Sequence, residues 1–151
     1  MEWRLKSFYA LSVGELYAIL RLRQDVFVVE QRCPYPDIDG VDGESFHLFA
    51  WEDGRAVACL RFFPKPDEPG VVQLGRVATA VRGVGLGGEL LRRGVRSVRE
   101  TLAPREIYLE AQCYAQGFYA REGFISVGEP FDEDGIPHIA MRLGAKDAPT
   151  A

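Results

Sequence analysis

Four glycines in six residues, Gly83-Val84-Gly85-Leu86-Gly87-Gly88, stand between a β-rich run ending at Thr79 and a stretch whose apolar residues recur at helical spacing. A strand that enters a helix through such a loop presents successive backbone N–H groups to one place. There the helix dipole reinforces them, and glycine leaves no Cβ to keep a ligand away. A phosphate-bearing ligand suits this arrangement; the plainer reading is a turn that needs positive φ angles. Gly88 is followed by Glu89-Leu90 rather than Lys-Ser/Thr, which disfavours a nucleoside triphosphate because the phosphate lysine and the magnesium hydroxyl are missing. Gly83-x-Gly85-x-x-Gly88 does match the dinucleotide fingerprint, and Glu110 stands near the place of a ribose-binding acid. Against a nicotinamide carrier, a helix and an antiparallel meander precede the loop, and too little chain follows to build the second half of such a fold.

The flanking segments set the fold class. Trp3-Arg4-Leu5-Lys6 alternates apolar and charged residues and predicts a first strand. Ser12-Val13-Gly14-Glu15 has the form of a capping box, and Leu16, Ile19, Leu20 and Phe27 supply the apolar stripe of the helix that follows, which Pro34 and Pro36 cannot continue. Residues 28–44 read as irregular. Residues 46–51 and 57–63 predict an antiparallel hairpin around Asp53-Gly54, and residues 71–79 extend the meander. Beyond the glycine loop, Leu90, Leu91, Val95, Val98 and Leu102 mark a second helix ending before Pro104. Residues 107–112 predict a strand with Tyr108, Glu110 and Gln112 on one face, and residues 115–122 a short helix stopped by Gly123. Residues 124–127 and 138–143 then supply two strands across an acidic loop. The expectation is one mixed α/β domain of the α+β type over residues 1–143, its sheet mainly antiparallel and flanked by helices, with 144–151 as a flexible tail.

Composition narrows the partners. A chain of 151 residues with 47% hydrophobic content can bury a core without disulfides or a structural metal. Twenty-two acids against eighteen bases give a net charge of -4, the wrong sign for a protein that grips nucleic acid by its phosphates. No apolar run is long enough to span a membrane, and the N-terminus lacks the pattern of an export signal, so a cytoplasmic protein is expected. The three cysteines, Cys33, Cys59 and Cys113, are odd in number and form no Cys-x-x-Cys pair, which fits reduced, buried thiols. Asp37, Asp39 and Asp42 lack the spacing of a calcium loop, and no metal site is expected. Acids in residues 28–44 and 129–134 would draw in a cationic amine if they flanked an acceptor cleft; solvated loops are the alternative. Of the arginines on the second helix, Arg92 and Arg93 lie nearest its start, where phosphates would sit.

Arg82-Gly83-Val84-Gly85-Leu86-Gly87 resembles the Arg/Gln-x-x-Gly-x-Gly/Ala signature of the GNAT acetyltransferases. Downstream, Gln112-Cys113-Tyr114-Ala115-Gln116-Gly117-Phe118-Tyr119 with Glu122-Gly123-Phe124 resembles the family's Asn-x-x-Ala-x-x-x-Tyr segment and closing Gly-Phe, with Gln112 in place of asparagine. Residues 26–31, 33–35, 37–40, 47–48 and 135–139 are similar to the ElaA-type subfamily, and the whole resemblance covers about residues 3–143. It implies a GNAT acyl-CoA N-acyltransferase fold and direct transfer of acetyl from acetyl-CoA to a primary amine on a small molecule or peptide. A homodimer is a family-level option. The resemblance also implies that Val77, Thr79, Arg82, Gly83, Val84, Gly85, Leu86, Gly87, Gly88, Gln112 and Tyr119 bind the acyl carrier. In that scheme the Val77 N–H polarises the thioester, the loop N–H groups hold the pyrophosphate, and Arg82 adds charge.

Tyr119 stands where the family's tyrosine protonates the departing thiolate. A phenol, with a reference pKa of about 10, suits that task, since a thiol titrates at about 8.5. Glu110 and His138 are candidate bases for the amine proton, although a free amine arriving deprotonated needs none. A non-catalytic acyl-CoA sensor and a nicotinamide-binding protein are the other readings.

Overall fold

The capping box forms as the sequence predicts. In the computed structural model, which describes residues 1–145, Ser12 Oγ accepts from the Glu15 N–H at 3.0 Å and Glu15 Oε1 accepts from the Ser12 N–H at 2.8 Å. This opens helix α1, Val13–Arg23. The helix does not end before residue 28 but widens into a π-helical segment over Gln24–Glu30, with the Gln31 N–H reaching Val26 O at 3.3 Å. A stripe at a 3.6-residue period does not register this widening. The buried face therefore runs through Ile19, Leu22 and Val26, while Leu16 and Leu20 of the expected stripe are only half-buried.

Seven strands form one sheet: β1 (Glu2–Ser7), β2 (Phe46–Glu52), β3 (Arg55–Pro64), β4 (Val71–Thr79), β5 (Glu106–Gln112), β6 (Ile125–Glu133) and β7 (Ile136–Gly144). Their order is β1-β2-β3-β4-β5-β7-β6, and only the β4–β5 pair is parallel. Asp53 and Gly54 turn the first hairpin with positive φ at both residues, as a tight turn between twisted strands requires. Side chains alternate across the meander. Phe49 and Cys59 join Ile19, Leu22 and Val26 under α1, whereas Leu48, Leu60 and Phe62 pack on the other face against helix α2, Leu86–Leu102. A Cβ added at Gly94 would lie 2.5 Å from Leu60 Cδ2, so α2 sits closer to β3 than any side chain at that position allows.

The last hairpin corrects one expectation. Residues 129–133 are not a loop but the end of β6, and the turn lies at Asp134-Gly135, both at positive φ. Every residue of β6 is exposed, so no buried face imprinted an apolar alternation on its sequence, and an irregularity between Val127 and Phe131 breaks the period again. Of the tail expected over residues 144–151, Gly144 belongs instead to β7, and the Ala145 N–H donates to Arg105 O at 3.0 Å. Residues 146–151 lie outside the described residues.

Candidate active site

β4 and β5 pair at only three positions, Val71 to Gln73 against Glu106 to Tyr108. Beyond them the strands part around a cleft of about 1050 Å3. A bulge in β4 accompanies the parting: Arg61 of β3 faces Gly75 and Cys59 faces Ala78, which leaves Arg76 and Val77 outside the paired register of both neighbouring strands. An extra residue of this kind bends a strand and increases its twist. Arg76 stands at φ +53°, a left-handed conformation that costs a residue with a Cβ about 1–2 kcal/mol. Its guanidinium is tied down on Asp37 Oδ1 at 2.9 Å and Asp39 Oδ2 at 3.2 Å and lies over the Tyr35 ring. Val77, the residue expected to present its N–H to a thioester, lies in this bulge and lines the cleft together with Thr79.

The glycine loop forms the next wall. Gly83 and Gly85 take φ +78° and +77°, and a Cβ at either would meet nothing within 4 Å, so the backbone conformation is what requires glycine there. Gly87 and Gly88 are held differently, with added Cβ atoms 3.3 Å from Phe118 and from the Arg92 guanidinium respectively. The backbone N–H groups of residues 81–88 donate to no acceptor among the described residues. They lie at the start of α2, where an anion is favoured. Leu86 is buried and anchors the helix start; Val84 is exposed and does not line the cleft, unlike its neighbours in the loop. Arg82 lines the cleft, and its guanidinium is engaged by Glu30 at 2.6 Å. Arg92 and Arg93 line no part of it: Arg92 lies 3.5 Å from Glu122, and Arg93 pairs with Glu89 and covers Trp3.

Tyr119 is presented by the short helix α3, Gln116–Ala120, whose Phe118 ring packs on Gly87. The Tyr119 ring packs edge-on to Phe118 and Phe124, and its hydroxyl makes no hydrogen bond among the described residues. Burial, and then the nearby Tyr114 hydroxyl, push the phenol well above its ordinary pKa, so it holds its proton. Gln112 exchanges reciprocal amide bonds with Gln31, at 3.1 and 3.2 Å, which join β5 to the end of the π-helical segment.

Register places the candidate bases on one face. Gln112 lies opposite His138, Glu110 opposite Ala140, and Phe131 of β6 opposite His138 in turn. Glu110, Gln112, His138 and Glu133 therefore share a face, and all four line the cleft. His138 Nδ1 lies 2.7 Å from Ile136 O, a contact that requires the proton on Nδ1 and turns Nε2 toward Glu133 Oε2 at 3.6 Å. Glu110 accepts from the Tyr108 hydroxyl at 2.7 Å. Burial, and then the charge of Glu110, raise the Glu133 carboxyl above its ordinary range. Sequence reasoning named Glu133 only within the acidic segment 129–134 that would flank an acceptor cleft, and missed Gln31 as a member of the site. The signal for Glu133 was Asp134-Gly135, a turn pair like Asp53-Gly54, which would have set the register of the hairpin.

The acids of residues 28–44 are not a steering surface. Asp37 and Asp42 receive the buried Arg23 guanidinium at 3.0 and 2.7 Å, Arg61 pairs with Asp39 at 2.6 Å and Asp42 at 3.0 Å, and Arg76 completes the set. The Tyr35 hydroxyl donates to Asp37, and His47 donates from Nε2 to Asp42 O, so His47 is part of this framework and not of the cleft. Cys33, Cys59 and Cys113 are free thiols, and burial pushes Cys59 up to about 12. Among the described residues no helix is long and apolar enough to cross a membrane.

Comparison with known proteins places this geometry. Residues 23–145 match the model of the acetyltransferase (GNAT) domain. The chain is 42% identical over 145 residues to protein ElaA of Escherichia coli K12, covering 93% of this chain and 95% of that protein. The crystal structure of ElaA superposes with a TM-score of 0.86 at 41% identity over 93% of this chain and 97% of that one. An acyl-CoA N-acyltransferase from Pseudomonas aeruginosa superposes with a TM-score of 0.87 at 42% identity, over 94% of this chain and 99% of that one.

Proposed function

The chain belongs to the GNAT acetyltransferase family, with ElaA among its relatives, and from that premise we propose that it transfers acetyl from acetyl-CoA to a primary amine. The observation that carries this reading is the run of unpaired N–H groups at residues 81–88, at the edge of a cleft that also holds the unbonded Tyr119 hydroxyl. Those donors, with open space at Gly83 and Gly85, fit a diphosphate. The pantetheine arm follows β4 past Thr79 toward Val77, whose N–H, in the bulge, polarises the thioester carbonyl. The amine enters over the face of β5 and β7 and attacks that carbonyl. Glu110, or His138 through Nε2, takes the amine proton, and the Tyr119 hydroxyl donates to the sulfur as the carbon–sulfur bond breaks. The acceptor is a small molecule or a peptide amine, and three free thiols, Cys33 and Cys59 buried and Cys113 half-buried, accord with a cytoplasmic enzyme.

Thermal melting separates this from a dinucleotide reading. Acetyl-CoA at about 100 times its dissociation constant should stabilise the fold by about 2.7 kcal/mol, and NAD should not. Thiol release from acetyl-CoA and from longer acyl-CoA donors, across a panel of primary amines, then tests the chemistry. Stabilisation by acetyl-CoA without thiol release would leave a sensor, and stabilisation by NAD alone would end the proposal.

A further inference from the structure

Five glycines line the cleft, and four of them have a reason in the backbone or in packing. Gly83 and Gly85 take positive φ, whereas Gly87 and Gly88 lie against Phe118 and Arg92. Gly75 has neither reason. Its φ is outside the left-handed region, and a Cβ there would meet no described atom within 4 Å beyond its own chain neighbours. The left-handed conformation of the β4 bulge falls one residue later, on Arg76 at φ +53°. A glycine inside a strand weakens it and marks a close approach by a ligand or by another stretch of backbone. No other stretch of the described chain approaches Gly75, which leaves a ligand.

Register fixes where that space lies. Gly75 faces Arg61 of β3 and Gln73 faces Phe63, so these four share one face of the sheet. Gln73 pairs with Tyr108, which puts Gly75 and Glu110, each two residues further on, on that same face and on opposite banks of the parted strands. It is the face over which the amine enters. The cleft on this side is lined by Tyr35, Pro36, Val41, Phe63 and Pro66. The Tyr35 ring is held by the Arg76 guanidinium at 5.3 Å and by its hydroxyl, which donates to Asp37 at 3.0 Å; the Phe63 ring lies under Arg61. The charges nearby are spent on one another, since Asp39 pairs with both Arg61 and Arg76. What remains for a ligand beside Gly75 is fixed apolar surface.

We propose that Gly75 sets acceptor specificity: the space beside it takes the apolar body of the acceptor, packed against Tyr35 and Phe63 while the amine faces Glu110. This rests on the acetyl-transfer reading and names its substrate class as primary amines with a bulky apolar body, such as an aromatic ring. A charged body would lose its hydration there without gaining a partner, and is disfavoured.

The test measures thiol release with 2-phenylethylamine and with ethylamine, in the unaltered protein and in Gly75→Ala and Gly75→Val. In the unaltered protein the aromatic amine should exceed ethylamine in kcat/KM by about tenfold or more, mostly through KM, the scale of burying one ring. Gly75→Ala should lower that ratio by about fivefold or more, the cost of a methyl group in a filled site, and Gly75→Val should lower it further. The dissociation constant of acetyl-CoA should stay the same, and the urea midpoint of Gly75→Ala should hold or rise, because alanine fits the strand better than glycine. A lower urea midpoint in Gly75→Ala would make the glycine structural and overturn the proposal, as would a ratio that neither variant moves. A loss confined to butyryl-CoA as donor, with acetyl-CoA spared, would seat the acyl chain beside Gly75 and overturn it too. Thiol release with ethylamine at no disadvantage to the aromatic amine rejects the apolar body alone, whereas no release with any amine overturns amine acetylation and this assignment with it.

Discussion

Tyr119 is a phenol that burial keeps protonated, with a hydroxyl that makes no hydrogen bond among the described residues. Replacing it with phenylalanine removes the proton donor and keeps the ring packing on Phe118 and Phe124. Tyr119→Phe should lower kcat by about 100-fold or more, the range of general acid catalysis, with the dissociation constant of acetyl-CoA little changed. Steady-state kinetics and calorimetry on the same variant check both halves. Tyr119, Gln112 and the glycines were legible in the sequence because their spacing is local, set by one strand end and one short helix. Gln31 was not, because it meets Gln112 across 81 positions, and Glu133 was not singled out, because the exposed β6 carries no apolar alternation to set its register.

Among the elements, α2 is positioned by what it lacks. A methyl group at residue 94 collides with Leu60, a fully buried side chain that cannot swing away. Gly94→Ala should therefore destabilise the fold by about 1–3 kcal/mol despite the better helix propensity of alanine, lowering the urea midpoint with no change of slope. A gain in stability would mean that helix and sheet slide apart at no cost. The second helix, the Asp53-Gly54 hairpin and the β4 strand were readable because each carries a period or a turn pair of its own. The π-helical segment and β6 were not. One departs from the helical period, and the other buries neither face.

For the molecule as a whole, the buried arginine–aspartate framework ties α1, the 35–44 segment, β3 and β4 together. Arg23 is 1% exposed, and Arg23→Ala would remove the one cation shared by Asp37 and Asp42, leaving them to Arg76 and Arg61, which should cost about 3–5 kcal/mol in equilibrium unfolding. Acid should reach the same weakness. Burial alone would raise Asp42, but Arg23 and Arg61 outweigh it and hold the carboxyl below its ordinary range; Asp39 is held low chiefly by Arg61. Glu15 sits at about 2, since the Ser12 N–H, Lys6 and Arg4 overcome its burial. A carboxylate depressed in the folded state stabilises fully above its unfolded pKa, and that contribution is lost as pH falls toward the folded value. Melting temperature should thus be insensitive to these groups above about pH 5 and drop steeply below about pH 4, as scanning calorimetry across pH would show. The sequence showed the acids but not their arginines, because a buried ion pair leaves no local pattern. The three-rung β4–β5 ladder has a mechanical corollary. It is a seam between two leaves, β1 to β4 and β5 to β7, and a carrier lodged there would act as mortar. Amide hydrogens of residues 109–112 should exchange more slowly once acetyl-CoA is in place, and an enzyme cycling through turnovers would stiffen and loosen along that line each time.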